Sequence, residues 1–95
     1  MRRITTVTFV AYPVILTMSV ENARRVRDFI ADEDGGIGHL NVPVLGGMLA
    51  LQSFAGGKKI AEYVLPNKYG EDVVVSIDKD SLIAGLDGVF RGRKR

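Results

Sequence analysis

The sequence predicts an α+β fold, an antiparallel β-meander sheet of five to six strands carrying two short amphipathic helices. Three observations lead there. Gly-Gly pairs stand at Gly35-Gly36, Gly46-Gly47 and Gly56-Gly57, and they separate segments of strand length. Before Val20, β-branched residues alternate between two faces. After Ser19 and after Asp78, apolar residues recur at helical spacing.

The chain begins with Met1-Arg2-Arg3 and an apolar run to Val20, the outline of a signal peptide. Thr5, Thr6, Thr8, Tyr12, Pro13, Thr17 and Ser19 interrupt the run, and no small-residue cleavage site follows. It is also too short and too polar to span a bilayer. Strands explain it better. Val7, Phe9 and Ala11 alternate with Thr6, Thr8 and Val10, and Val14, Leu16 and Met18 alternate with Ile15, Thr17 and Ser19. Pro13 marks a bend, bulge or turn between them.

Ser19 suits a helix N-cap, because its hydroxyl can accept from a free first-turn amide, and Glu21 lies near the positive end of the dipole. Ala23, Val26, Phe29 and Ile30 form an apolar stripe that should cover a sheet face. Asp32-Glu33-Asp34-Gly35-Gly36 ends the helix.

The meander is expected from Ile37 to Leu45, Met48 to Ala55 and Lys58 to Leu65. Two-residue loops at Gly46-Gly47 and Gly56-Gly57 would use the freedom of glycine at positive φ. They place Leu40, Val42, Val44, Leu49, Leu51, Ser53, Ile60, Glu62 and Val64 on one face, with Glu62 the misfit. The other face is mixed, and includes His39, Pro43, Leu45, Met48, Phe54, Tyr63 and Leu65. Lys58–Leu65 also carries a helical stripe at Ile60, Ala61, Val64 and Leu65; the glycine spacing favours the strand. Pro66 to Asp72 reads as a turn. Val73 to Ile77 is a short, nearly all-apolar strand, expected to be central or covered on both faces. Asp78, Asp80 or Ser81 can cap a second helix with Leu82, Ile83, Leu86, Val89 and Phe90 as its stripe. Gly85 and Gly88 each weaken it by about 1 kcal/mol relative to Ala, unless they allow close packing.

Residues 1–90 thus form one α+β domain, and 91–95 a basic C-terminal tail. The 95 residues are 46% hydrophobic and 25% charged, a globular composition. The lack of cysteine excludes disulfides, thiol catalysis and Cys-ligated zinc, and is compatible with a cytoplasmic location. The net charge is +2; without the six positive charges of Arg2, Arg3, Arg91, Arg93, Lys94 and Arg95 it becomes −4. Affinity for a polyanion should therefore reside in the ends.

Catalytic motifs fail on inspection. Gly56-Gly57-Lys58-Lys59 lacks the earlier Gly (Gln52 stands there) and the following Ser or Thr of a phosphate loop. Gly35-Gly36-Ile37-Gly38 lacks the flanking strand and helix of a dinucleotide site. His39 is the single histidine and has no orienting partner or nucleophile at a telling spacing. Asp78 and Asp80 lack the further ligands and glycine of a calcium loop. No catalytic residue, metal or cofactor is expected.

What remains is a non-enzymatic, self-associating assembly or accessory protein. It would contact nucleic acid through Arg2, Arg3, Arg91, Arg93, Lys94 and Arg95. The arginines of the first helix read as an ordinary solvated face, since Glu21 and Asp28 share it. The alternative is a protein-binding inhibitor or adaptor acting through Leu45, Met48, Phe54, Tyr63 and Leu65, which are too apolar to lie bare over a broad area. A compact chain of this kind also fits a viral or mobile-element product. A homo-oligomer is expected, and no membrane.

Overall fold

The computed structural model describes residues 5–32 and 38–91. It is α+β, as the sequence predicts, with two helices and two antiparallel sheets of two and four strands. The first sheet is a hairpin of β1 (Thr6–Ala11) and β2 (Val14–Ser19), joined at Tyr12-Pro13. Val7, Phe9, Ala11, Leu16 and Met18 point into the core, and Thr6, Thr8, Val10 and Ile15 point out. Thr8 and Thr17 join hydroxyls across the pair at 2.9 Å.

The hairpin ends at Ser19, whose extended backbone and hydroxyl cap helix α1 (Val20–Ala31). The hydroxyl accepts from the Asn22 amide at 3.0 Å. Ala23 and Val26 are buried, and Phe29 and Ile30 pack beside them, the stripe the spacing predicts. The acidic turn Glu33-Asp34 and the first Gly-Gly pair lie outside the described residues.

The second sheet is a meander of β3 (Gly38–Val44), β4 (Gly47–Ser53), β5 (Lys59–Leu65) and β6 (Val73–Ile77), in that spatial order. Lys59–Leu65 is therefore a strand and not a helix. The first meander turn is Leu45-Gly46, with Val44 opposite Gly47. Only Gly46 takes a positive φ, +86°. Pairing thus slips by two places from expectation: Leu40 faces Leu51 and Val42 faces Leu49. An even slip leaves every side chain on its expected face.

The second turn changes the faces. Phe54 donates its amide to the Lys58 carbonyl at 2.8 Å, and Gly57 donates to the Phe54 carbonyl at 3.1 Å. The loop is therefore Ala55-Gly56-Gly57, one residue longer than expected, with φ +89° at Gly56 and +85° at Gly57. One extra residue moves all of β5 to the opposite face. Leu49 pairs with Tyr63 and Leu51 with Ala61, so Ala61, Tyr63 and Leu65 face inward. Ile60, Glu62 and Val64 face outward. This corrects the placement of Tyr63 and Leu65 on the mixed face, and it removes the misfit of a core-facing Glu62.

Two further expectations are corrected. β6 is an edge strand and is not covered on both faces; Val73 and Val74 are each about half exposed. The hairpin and meander also do not form one sheet. The hairpin's buried face needs apolar partners, and it finds them by stacking on the meander's inner side. Two backbone hydrogen bonds pin it to diagonally opposite corners, Leu45 amide to Thr17 carbonyl (2.9 Å) and Asp78 amide to Tyr12 carbonyl (2.8 Å). The diagonal leaves the corner at Leu65 and Val73 uncovered.

Asp78 caps helix α2 (Lys79–Arg91), its carboxylate accepting from the Ser81 amide at 3.0 Å. The Ser81 hydroxyl accepts from the Tyr12 amide at 2.8 Å. A turn later, Gly85 lies against β1, where an added Cβ would meet the Val10 carbonyl oxygen at 2.5 Å and the Phe9 ring at 2.6 Å. The helix thus runs antiparallel to β1, from Tyr12 back towards Thr6. Leu82 and Leu86 join Leu16, Val26, Val42, Leu49 and Leu51 in the fully buried centre. Each such side chain contributes roughly 1.5–3 kcal/mol by leaving water.

Candidate functional site

Of the six basic residues expected to meet nucleic acid, only Arg91 is described; Arg2, Arg3, Arg93, Lys94 and Arg95 lie outside the described residues. The fold does show where those segments join the body. The antiparallel packing of α2 on β1 brings Phe90 and Arg91 towards the start of β1. Thr5 sits at the same end, its carbonyl accepting from the Val20 amide at 2.8 Å. Between the two attachment points lies the middle of α1. There Arg27 stacks on the Phe90 ring at 4.3 Å, and Arg24 stands over the same ring at 5.8 Å.

Arg24 and Arg27 are neighbours at i, i+3 on one helix face. Arg24 and Arg91 are exposed, and Arg27 is partly so. The first-helix arginines are thus more than a dispersed solvated face, because two of them converge on the residue preceding Arg91. Asp28, 3.8 Å from Arg27, and Asp87 dilute the local charge. The signal in the sequence was the i, i+3 arginine pair together with an aromatic beside the basic run. Their meeting depends on how α2 packs, which no local pattern encodes. Beside this contact, Arg27, Ile30, Ala31, Ile83, Leu86 and Asp87 line an open cleft of about 250 Å³ between the helices.

The second candidate surface is the outer face of the meander. Strand pairing sets its side chains in rows. Pro43, Met48, Val64 and Val74 form an apolar row across the whole sheet. Next to it run Asn41, Ala50, Glu62 and Ser76, then His39, Gln52 and Ile60. Neither helix packs against this face. Among the residues expected to bind a protein, Met48 and Phe54 are each 39% exposed and Leu45, on the adjoining turn, is 74% exposed. Tyr63 lies behind the sheet, where its hydroxyl donates to the Leu45 carbonyl at 2.8 Å and fastens the turn. Leu65 is also on that inner side. Sequence reasoning missed Val64 because the longer second loop was not legible, and Val74 because β6 has the composition of a covered strand. A smaller exposed patch, Val10, Tyr12 and Ile15, occupies the hairpin tip.

His39 is exposed on the outer face opposite Gln52, away from the buried core. Among the described residues, no three His, Asp or Glu side chains group closely enough to hold a metal ion. No helix among them is long and apolar enough to cross a membrane. No known family model, curated protein or solved structure matches the chain.

Proposed function

We propose that this chain is a non-enzymatic, self-associating accessory protein that holds nucleic acid at its basic end. The reading rests on the stacking of Arg24 and Arg27 over Phe90, immediately before Arg91. That contact adds two ordered guanidinium groups beside the segment carrying Arg93, Lys94 and Arg95. The Arg2-Arg3 segment joins the body at the same end, through Thr5. Planar guanidinium groups suit phosphate oxygens, and clustering them releases more counterions per bound strand. The acidic remainder of the body keeps the polyanion to that end.

The test is binding of labelled duplex and single-stranded DNA and RNA across a salt series. It compares the full chain, a chain stopped at Phe90, and the double variant R24A/R27A. The reading expects affinity to fall steeply with salt. Truncation should remove most of it, and the double variant should lower the salt slope by about 2 on a logarithmic scale. Absence of binding by the full chain at low salt would sink the proposal.

A second reading is favoured by the apolar row of the outer sheet face. Pro43, Met48, Val64 and Val74 cross four strands without interruption by a charge. A protein-binding adaptor or inhibitor would use that row, and its binding would be indifferent to truncation at Phe90.

A further inference from the structure

The two edges of the meander are unlike. On β3, Pro43 removes a backbone donor, and the strand's end is tied to the hairpin through the Leu45–Thr17 hydrogen bond. β6 has a matching tie at its end, the Asp78–Tyr12 hydrogen bond, but no proline along its length. Val73-Val74-Val75-Ser76-Ile77 contains no charge and no proline, and among the described residues one side of its backbone has no neighbouring strand. Edges of this kind are templates for another strand. Val73 is 50% and Val74 52% exposed, so the side chains flanking that edge are also available.

We propose that β6 pairs with β6 of a second copy, antiparallel about a twofold axis at Val74, joining two meanders into one eight-stranded sheet. This specifies the surface of the self-association proposed above and rests on that part of the reading. A twofold contact is self-complementary, and two identical strands side by side in one sheet about such an axis must be antiparallel.

The register follows from the side chains. With Val74 opposite Val74 of the second copy, the row Pro43, Met48, Val64, Val74 meets its own image and runs unbroken across the joint. Asp72 then lies opposite Ser76 of the second copy. Moving the axis to Val75 would set Asp72 against Asp78 of the second copy, a like-charge pair, and would run the apolar row into Ser76 and Glu62. Moving it to Val73 would set Val74 against Asp72 and Val75 against Glu71. Only the Val74 axis keeps carboxylates apart and apolar residues together. The uncovered Leu65–Val73 corner would also be shielded, because Val75 of the second copy comes opposite Val73.

Sedimentation equilibrium on the full chain tests this directly, with circular dichroism to verify that each variant is folded. Val74→Lys and Val74→Glu each set like charges against each other at the axis, and each should weaken dimerisation by about tenfold or more. An equimolar mixture of the two should recover a dimer, which mere loss of packing would not produce. Val74→Cys provides the register test, since the chain has no other cysteine. Directly opposed strand residues lie within disulfide reach, so mild oxidation should give a covalent dimer, whereas Ser76→Cys should not. A wild-type chain that stays monomeric at high concentration would overturn both this inference and the self-association it refines, leaving the nucleic-acid test standing. A dimer indifferent to Val74→Lys, or cross-linked through Ser76→Cys instead, would overturn the β6 joint while self-association survived through another surface.

Discussion

The two turns of the meander carry the same dipeptide and do different things with it. At Gly46-Gly47 the loop is Leu45-Gly46, and Gly47 is already a strand residue. Its missing Cβ makes room for the Val64 carbonyl oxygen and the Tyr63 ring. At Gly56-Gly57 both glycines belong to the loop, both have positive φ, and Gly56 has open space around it. The first pair therefore combines one conformational need with one packing need, and the second meets conformational needs alone. The consequence is parity. A two-residue loop preserves the alternation expected across the turn, while a three-residue loop inverts it for everything downstream.

The largest effect should come from erasing that difference. Deleting Gly57 would shorten the second loop to two residues and impose the opposite face on β5. Glu62 would then point into the core in place of Ala61 and Tyr63. An unpartnered buried carboxylate costs roughly 3–5 kcal/mol when charged, a large share of the stability of a domain this size. The variant should lose cooperative thermal unfolding by circular dichroism. Retention of the native melting temperature would show that β5 can be accommodated with either face inward.

Gly47→Ala should come next. The added methyl collides with backbone at Val64, which cannot rotate away as a side chain could. Overpacking of this kind typically costs about 1–3 kcal/mol. Urea titration should show the midpoint falling with little change in slope. Gly56→Ala meets no atom within 4 Å, so its cost should be confined to the left-handed backbone, about 1 kcal/mol. Equal losses at Gly47 and Gly56 would mean that packing at the first turn does not distinguish the pair.

This contrast also explains what could be read before the fold was known. The hairpin strands, the Ser19 cap, the stripe of α1 and the Asp78 cap are local features, written in spacings of a few residues. The faces of β3 and β4 were legible because a two-place slip conserves parity. The faces of β5 were not, since Gly56-Gly57 serves a two-residue or a three-residue loop equally well and the choice depends on burial of Ala61 and exposure of Glu62. The exposure of β6 was hidden for another reason. Val73-Val74-Val75 has the composition of a covered strand, and only its place at the end of the strand order, with the hairpin set diagonally on the inner side, leaves it at an edge. Likewise, Arg91 was marked by its basic neighbours, while Arg24 and Arg27 depended on the packing of α2 against α1.

The smallest change should sharpen the comparison from the favourable side. In the second turn Gly57 donates to Phe54, which makes Ala55 and Gly56 the central residues, with positive φ at the second of them. That pattern is a type II turn, whose first central residue has φ near the value proline imposes. Ala55 is exposed, and Phe54 before it continues the β4–β5 pairing through its bond to Lys58, a strand-like setting compatible with a following proline. Ala55→Pro should therefore raise stability by about 0.5–1 kcal/mol, mainly by restricting the unfolded chain, and a differential scanning calorimeter would resolve the gain. The corresponding change at the first turn, Leu45→Pro, should lower stability instead, because the Leu45 amide donates to Thr17 and proline would remove that bond between the sheets. Opposite signs at the two positions would confirm that one turn is shaped by its own backbone and the other by what it touches. A gain at both would mean that the Leu45–Thr17 hydrogen bond contributes little to holding the hairpin on the meander.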